Sequence, residues 1–223
     1  MNKTKNLVLL FVLMAANVAY ANAQKVDEGK VLFEISYPDA DIPDEQMAMM
    51  PTEMATYFKG AQSRTEMKMG MGMNQVFLFD GKNKVMTMLV DMMGTKSAIK
   101  MTEEDLKQQK EKKGKDDSQV KITDETKDIA GYKCKKAIVT GKDGSFDLYF
   151  TDQISYKKGD WASEYKGIDG FPLQYKITQG SLIMQMTAKN VSKEKVDDAL
   201  FTAPADYKPM TQEEMMKQFG GEK

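Results

Sequence analysis

The feature that most constrains this chain is a set of apolar-alternating segments joined by only a few turn residues. Three such pairs occur: "NQVFLFD" and "VMTMLVDMM" around "GKNK", "KCKKAIVT" and "SFDLYFT" around "GKDG", and "LQYKIT" and "LIMQMTAK" around "QGS". Alternation with a period of two is typical of strands that bury one face, and connections this short join antiparallel neighbours. The sequence therefore predicts antiparallel hairpins rather than strand–helix–strand units.

Further strands and a few helices are predicted around these hairpins. The segment "GKVLFEISYP" alternates in the same way, and residues 62–74, which include "MKMGMGM", predict another strand. Residues 51–59 predict a helix with Pro51 in its first turn. Its apolar stripe, spaced by three and four, would comprise Met47, Met50, Met54, Tyr57 and Phe58. Capping patterns at Thr102 and Thr211 predict two more helices. The predicted class is α+β, with amphipathic helices covering one face of an antiparallel sheet.

Composition excludes several kinds of function. The chain has no histidine, which excludes Ser-His-Asp and Cys-His catalysis and metal sites with histidine ligands. Its 32 basic and 33 acidic residues nearly balance, and Arg64 is the single arginine, so nucleic acid is not an expected partner. The carboxylates of "TEEDLK" and "TQEEMM" suit helix first turns, so we expect neither an enzyme nor a cofactor. Cys134, the single cysteine, predicts a small buried hydrophobe, with a reactive thiol as the alternative.

The N-terminus predicts export. A short basic region, "MNKTK", precedes the apolar run "LVLLFVLMAA" and the small residues "ANA" at 21–23. This order is typical of a cleaved signal peptide over 1–23, with Gln24 first in the mature chain. A single β-rich domain over 24–223 would follow, in the periplasm or outside the cell. No later segment is apolar enough to span a membrane.

Three short motifs, "TKDIAGYKCKKAIV", "GFPLQY" and "LFTAPADYKPM", resemble those of an exported bacterial family of unknown function. The fold of that family is similar to the periplasmic lipoprotein carriers LolA and LolB. The resemblance covers roughly residues 28–215. It implies a strongly curved half-barrel, with an apolar concave face that is covered by helices and holds acyl chains. In the carriers an early-strand arginine latches the lid, and Arg64 is the only candidate here.

Methionine is abundant, with 20 residues in the chain. In a strand, Met67, Met69, Met71 and Met73 would share one face, while glycines on the opposite face would let the strand curve. A loop through 69–73 is the alternative. Three interpretations of the methionines remain open: ordinary core packing, a pliable apolar pocket, or a Cu(I) site of thioethers at these four positions.

The favoured hypothesis is a non-enzymatic envelope protein that binds an apolar molecule, such as a lipid or a lipoprotein acyl chain. The predicted ligand-binding residues are Met50, Met54, Phe58, Met67, Met69, Met71, Met73, Met86 and Met88. Ligand would displace the lid helix 51–59. The alternatives are periplasmic Cu(I) binding and a structural or envelope-sensing role through protein partners.

Overall fold

A computed structural model describes residues 25–38, 40, 42–112, 118–142, 144–156, 165, 167–179 and 182–219. The predicted signal peptide, residues 1–23, lies outside these ranges, as do residues 113–117 of the charged segment after Thr102. Within the described ranges, no helix has the length and apolar character needed to cross a membrane.

The described chain is mostly β-structure. The strands are β1 (Glu28–Ser36), β2 (Glu53–Lys59), β3 (Gln62–Lys68), β4 (Asn74–Asp80), β5 (Val85–Met92), β6 (Thr95–Thr102), β7 (Gln119–Ile129), β8 (Tyr132–Gly141), β9 (Gly144–Thr151), β10 (Phe171–Gln179), β11 (Leu182–Ser192) and β12 (Lys208–Pro209). The α-helices are α1 (Asp44–Met47), α2 (Glu103–Lys112) and α3 (Gln212–Phe219), and 3-10 turns occupy Gly70–Gly72 and Asp198–Phe201.

The strands form one sheet in the order β12-β6-β5-β4-β3-β2-β1-β11-β10-β9-β8-β7. Neighbours are antiparallel except β12, which pairs parallel with β6. The predicted hairpins are confirmed as β4–β5, β8–β9 and β10–β11. The chain thus forms an open antiparallel sheet in which most neighbouring strands are also consecutive in sequence.

The sheet is curved, because rings from distant strands meet on one face. Phe79 of β4 and Phe171 of β10 lie five strands apart, which would separate them by about 24 Å in a flat sheet. Both nevertheless pack against the same ring, Tyr156, with centroid distances of 6.3 and 5.9 Å. The face that carries these rings is therefore concave.

The predicted helix over 51–59 is wrong, because residues 53–59 form β2. This strand pairs with β1 on one side and β3 on the other. Met54, Thr56 and Phe58 are buried in alternation. The spacing of apolar residues fits a helix and a strand about equally, and two flanking strands decide it by satisfying the backbone of β2. Of the described residues between β1 and β3, only Asp44–Met47 is helical, so there is no lid helix at 51–59.

The predicted strand over 62–74 is correct only as far as Lys68, where β3 ends, and the alternative of a loop through 69–73 is confirmed. The segment Gly70–Gly72 forms a 3-10 turn, closed by the Met69 N–H donating to the Met73 carbonyl over 2.9 Å. Gly72 has a φ of +72°, a conformation that breaks a strand and that glycine adopts without strain. The four methionines of "MKMGMGM" therefore do not share one strand face.

Two helix starts are confirmed, but a helical cover over the concave face is not. At α2 the Asp105 N–H donates to Thr102 Oγ1, and at α3 the Glu214 N–H donates to Thr211 Oγ1. The α2 helix packs on β6 and reaches α3 through a Gln109–Gln212 hydrogen bond of 2.9 Å. Both helices therefore lie near the β6 edge.

The convex face of β4–β6 is covered by the C-terminal segment, residues 196–210. Val76, Leu78 and Leu89 are buried beneath it, against Ala203 and Tyr207.

Candidate functional site: the open end of the concave face

The concave face carries no Asp, Glu, Lys or Arg on the described residues of β1–β6, β10 and β11. Strand pairing and the shared apolar cluster place on it Val31, Phe33, Ile35, Met54, Thr56, Phe58, Ser63, Thr65, Met67, Gln75, Phe77, Phe79, Met86, Met88, Val90, Met92, Thr95, Ser97, Ile99, Met101, Phe171, Leu173, Tyr175, Ile177, Leu182, Met184, Met186 and Ala188. The convex face carries the charges, for example Glu34, Arg64 and Lys100. Such a face suits an apolar partner.

Burial on this face decreases toward one end of the sheet. We call the end with the turns at 60–61 and 81–84 the closed end, and the opposite end, with the turn at 69–73, the open end. Going toward the open end, side chains change from buried to partly exposed: from Leu173 to Ile177 on β10, from Met186 to Met184 on β11, and from Ser63 to Met67 on β3. Solvent therefore reaches apolar side chains at the open end.

The candidate site consists of two banks of partly exposed side chains with a buried floor between them. One bank is formed by Met67, Phe77, Met88 and Val90 of β3–β5, and the other by Tyr175, Ile177 and Met184 of β10–β11. The floor is formed by Phe33, Ile35 and Met54 of the central strands, all buried. Met67 of one bank and Tyr175, Ile177 and Met184 of the other therefore pack against the same buried cluster while remaining partly exposed.

Among the polar side chains of this face, Gln75 lies beside the bank residue Met88. Gln75 Nε2 donates to Met88 Sδ over 3.3 Å. The amide keeps a second donor and its oxygen, so it could orient a carbonyl or hydroxyl of a bound molecule.

The β1–β2 connection lies at the open end and is anchored at both sides. Tyr37 Oη donates to the Pro51 carbonyl over 2.7 Å, and burial raises the pKa of this tyrosine. The Gly70 N–H donates to the Met49 carbonyl over 3.0 Å. A Cβ on Gly70 would lie 2.5 Å from the Ala48 carbonyl oxygen, so only glycine permits this close approach.

The predicted ligand-binding residues fall into four groups. Met67, Met86 and Met88 are partly exposed on the concave face, whereas Met54 and Phe58 are buried in the core. Met69, Met71 and Met73 belong to the 3-10 turn and its flanks, and Met50 belongs to the β1–β2 connection. Without a common strand face, the Cu(I) alternative loses its geometric basis.

Sequence reasoning missed Phe77, Val90, Tyr175, Ile177 and Met184 as site residues. The signal that could have found them is the absence of charge at alternate positions of their strands, combined with their hairpin pairing.

Arg64 lies on the convex face and holds the C-terminal segment, so its predicted role as a latch for a concave-face lid is wrong. Its Nη1 donates to the Leu200 carbonyl over 3.1 Å, and its Nε contacts Glu66 Oε1 at 2.5 Å. On the neighbouring strand β4, Arg64 pairs with Leu78, which is buried beneath the same segment.

Other chemically notable groups are structural. Cys134 is fully buried, as predicted, and burial together with the nearby Asp128 carboxylate raises the pKa of its thiol to about 11. Tyr156 is buried at the closed end, where its hydroxyl lies 2.6 Å from Ser63 Oγ and burial raises its pKa. Neither group is poised for nucleophilic or acid–base chemistry near neutral pH.

Polar sites elsewhere offer little to a ligand. In the part of the chain that the structure describes, no three acidic or cysteine side chains are close enough to hold a metal ion. An open depression of about 520 Å³ at the closed end is lined by Asn83, Lys84, Thr102, Glu103, Glu104 and Lys107. Lys84 and Glu103 pair there at 2.8 Å, so this depression is charged and does not suit an apolar molecule.

Comparison with solved structures supports the fold alone. The chain is similar to PNGF-II, with a TM-score of 0.54, 14% identity, and coverage of 87% of this chain and 33% of that one. It therefore spans about a third of the length of PNGF-II. Alignments with MucB (TM-score 0.34, 10% identity, 83% of this chain and 60% of that one) and with LprF from Mycobacterium bovis (0.33, 14%, 83% and 95%) score too low to support an argument.

Sequence comparison identifies the family. No curated protein sequence matches the chain significantly. The domain of unknown function DUF4412 matches residues 44–163, which is more than half of the chain. The matched region contains "TKDIAGYKCKKAIV", so the predicted resemblance to a family of unknown function is confirmed. The chain belongs to the DUF4412 family.

Proposed function

We propose that this protein binds an apolar molecule, such as a lipid acyl chain, on the open end of its concave face. The observation that carries the proposal is a charge-free face whose apolar side chains are partly exposed at one end. Exposed apolar surface of this kind in one concave place commonly marks a binding site. The predicted signal peptide supports a location in the cell envelope or outside the cell, where acyl chains of lipids and lipoproteins are available.

Binding rather than catalysis fits the chemistry of the site. The polar groups at the banks are uncharged, namely the Gln75 amide beside Met88 and the Tyr175 hydroxyl, and the amide can orient a ligand but cannot exchange a proton near neutral pH. Methionine side chains are unbranched and polarizable, so they can adapt to chains of different shape.

The energetics allow reversible binding. A chain of about twelve methylenes would gain ~10 kcal/mol from complete burial, at ~0.8 kcal/mol per methylene. Loss of translational and rotational freedom would offset at least ~4 kcal/mol of this gain. The remainder corresponds to a Kd of tens of micromolar or weaker, about what a carrier needs to release its ligand.

The test is titration with cis-parinaric acid, a fluorescent fatty acid, using Met88→Glu against Ile122→Glu as a matched control. Met88 lies in one bank of the site, whereas Ile122 is 49% exposed on the edge strand β7. We expect saturable binding that weakens at least tenfold, ~1.4 kcal/mol, in Met88→Glu and is unchanged in Ile122→Glu. Absence of saturable binding, or an equal loss in both variants, would overturn the proposal. Native mass spectrometry of protein from its own envelope would then support a structural role if no lipid co-purifies.

A further inference from the structure

The methionines outside the core concentrate in the connections at the open end. Antiparallel strands place the β1–β2, β3–β4 and β5–β6 connections at the same end of the sheet. These three connections or their flanks contain Met47, Met49, Met50, Met69, Met71, Met73, Met92 and Met93. The β2–β3 and β4–β5 turns, at the closed end, contain no methionine. Among the connections of β1–β6, methionine therefore occurs only at the open end.

Two of these connections touch, which makes part of the methionine set one surface. The hydrogen bond from the Gly70 N–H to the Met49 carbonyl joins the β1–β2 connection to the turn at 69–73. The close approach of Gly70 to Ala48 brings the two backbones into van der Waals contact. We call the methionines of the three connections the rim methionines.

The rim contains the most exposed methionines of the described chain. Met93 is 84% exposed and Met49 is 38% exposed, whereas Met54, Met101 and Met186 are 5%, 7% and 2% exposed. Exposed thioethers react with dissolved oxidants, and buried ones are protected.

Met93 also occupies a backbone position that does not favour methionine. It lies in the two-residue β5–β6 turn with a φ of +53°, next to Gly94 at +90°. Asn, Asp or Gly is usual at such a position. The turn therefore holds a thioether in solvent although a polar residue would suit its backbone better.

We propose that the rim methionines are oxidation sites that convert the open end from apolar to polar when the protein meets a two-electron oxidant such as hypochlorous acid. In the reaction one S=O bond forms at the thioether and the O–Cl bond breaks. The sulfur loses two electrons, chlorine leaves as chloride, and one proton is released. Reduction by an enzyme of the methionine sulfoxide reductase class would restore the thioether.

The consequence for binding rests on the proposed function, whereas the oxidation itself does not. A sulfoxide is polar and accepts hydrogen bonds, so it disfavours contact with an apolar molecule. Rim oxidation would therefore weaken binding at the open end without disrupting the core, where Met54 and Met186 stay protected.

The first test is site-resolved. The full chain is treated with limiting hypochlorous acid, and peptide mass spectrometry measures the gain of one oxygen at each methionine. Following the ratios of exposed fractions, we expect Met93 and Met49 to react about five- to fortyfold faster than Met54, Met101 and Met186. Equal rates at rim and core methionines in the folded protein would overturn the inference.

The second test measures polarity with a variant that lacks four rim thioethers: Met49→Leu, Met69→Leu, Met73→Leu and Met93→Leu. Oxidation should shorten the retention of the wild-type protein on a hydrophobic-interaction column and shorten that of the variant clearly less, because the variant lacks Met93 and Met49, the two most exposed rim thioethers. An equal shift in both would place the effect elsewhere and contradict the inference.

The same samples separate the inference from the proposed function. We expect oxidation to weaken cis-parinaric acid binding several-fold in the wild type and distinctly less in the variant, and reductase treatment to restore it. If unoxidised protein fails to bind the probe, the proposed function is wrong, while oxidation rates and column retention still decide the inference. If the probe binds and oxidation leaves its affinity unchanged, the switching of binding is wrong.

Discussion

The contact of Arg64 with the C-terminal segment should stabilise the fold more than any other cation contact to that segment. The side chain is only 14% exposed, and it donates to the Leu200 carbonyl and contacts Glu66. Hydrogen bonds that involve a charged group contribute ~1.5–3 kcal/mol when shielded from water. Arg64→Met also leaves the Glu66 carboxylate without its cation. We therefore expect the free energy of unfolding to fall by ~2–3 kcal/mol.

Lys59→Met is the matched control, because Lys59 contacts the same segment from solvent. Its Nζ lies 2.7 Å from Asp198 Oδ1 and donates to the Val196 carbonyl over 3.2 Å. Solvent screens such an ion pair, so Lys59→Met should leave the free energy of unfolding nearly unchanged. Urea unfolding gives both free energies, and amide hydrogen exchange over 198–207 reports release of the segment. Equal losses in both variants, or a loss in Arg64→Met within error of zero, would refute the reasoning.

Three further outcomes are expected. Gly70→Ala should release the β1–β2 connection, because the new Cβ would lie 2.5 Å from the Ala48 carbonyl oxygen and 2.7 Å from Met49 Cα. Faster amide exchange over 42–50 would report this release. Gly72→Ala is the control, since its Cβ has open space, and it should lower the free energy of unfolding by only ~1 kcal/mol through left-handed strain, without faster exchange. Met93→Asn should raise stability by ~0.5–1 kcal/mol because Asn suits the left-handed turn position, and a lower Tm than that of Met93→Leu would contradict this. Native Cys134, with its pKa raised from 9.0 to about 11, should hold ~100-fold less thiolate than the unfolded chain at pH 8 and react correspondingly slowly with a thiol reagent. Because the unfolded thiol ionises first, its contribution to stability should be complete below about pH 9 and lost as the pH rises toward 11, and this pH dependence should be absent in Cys134→Ala.

The candidate site was predictable in part. Met67 and Met88 were correctly expected on the apolar face, because alternation along their strands is a local property. Ile177 and Met184 belong to the same site, but they come from the β10–β11 hairpin, which lies about ninety to a hundred and twenty residues away in sequence. Their proximity depends on strand order and on curvature, neither of which is present in any short segment.

The sequence by itself determined the hairpins, the capped starts of α2 and α3, and the charge-free alternation of the concave face. These features depend on residues close together in the chain: turn residues, capping pairs and the two-residue period of strands. Tertiary structure decided that residues 53–59 form a strand and that Arg64 faces the C-terminal segment. The reason is that an apolar segment with ambiguous spacing adopts the state in which its backbone groups are paired, and only the neighbouring strands β1 and β3 supply those partners.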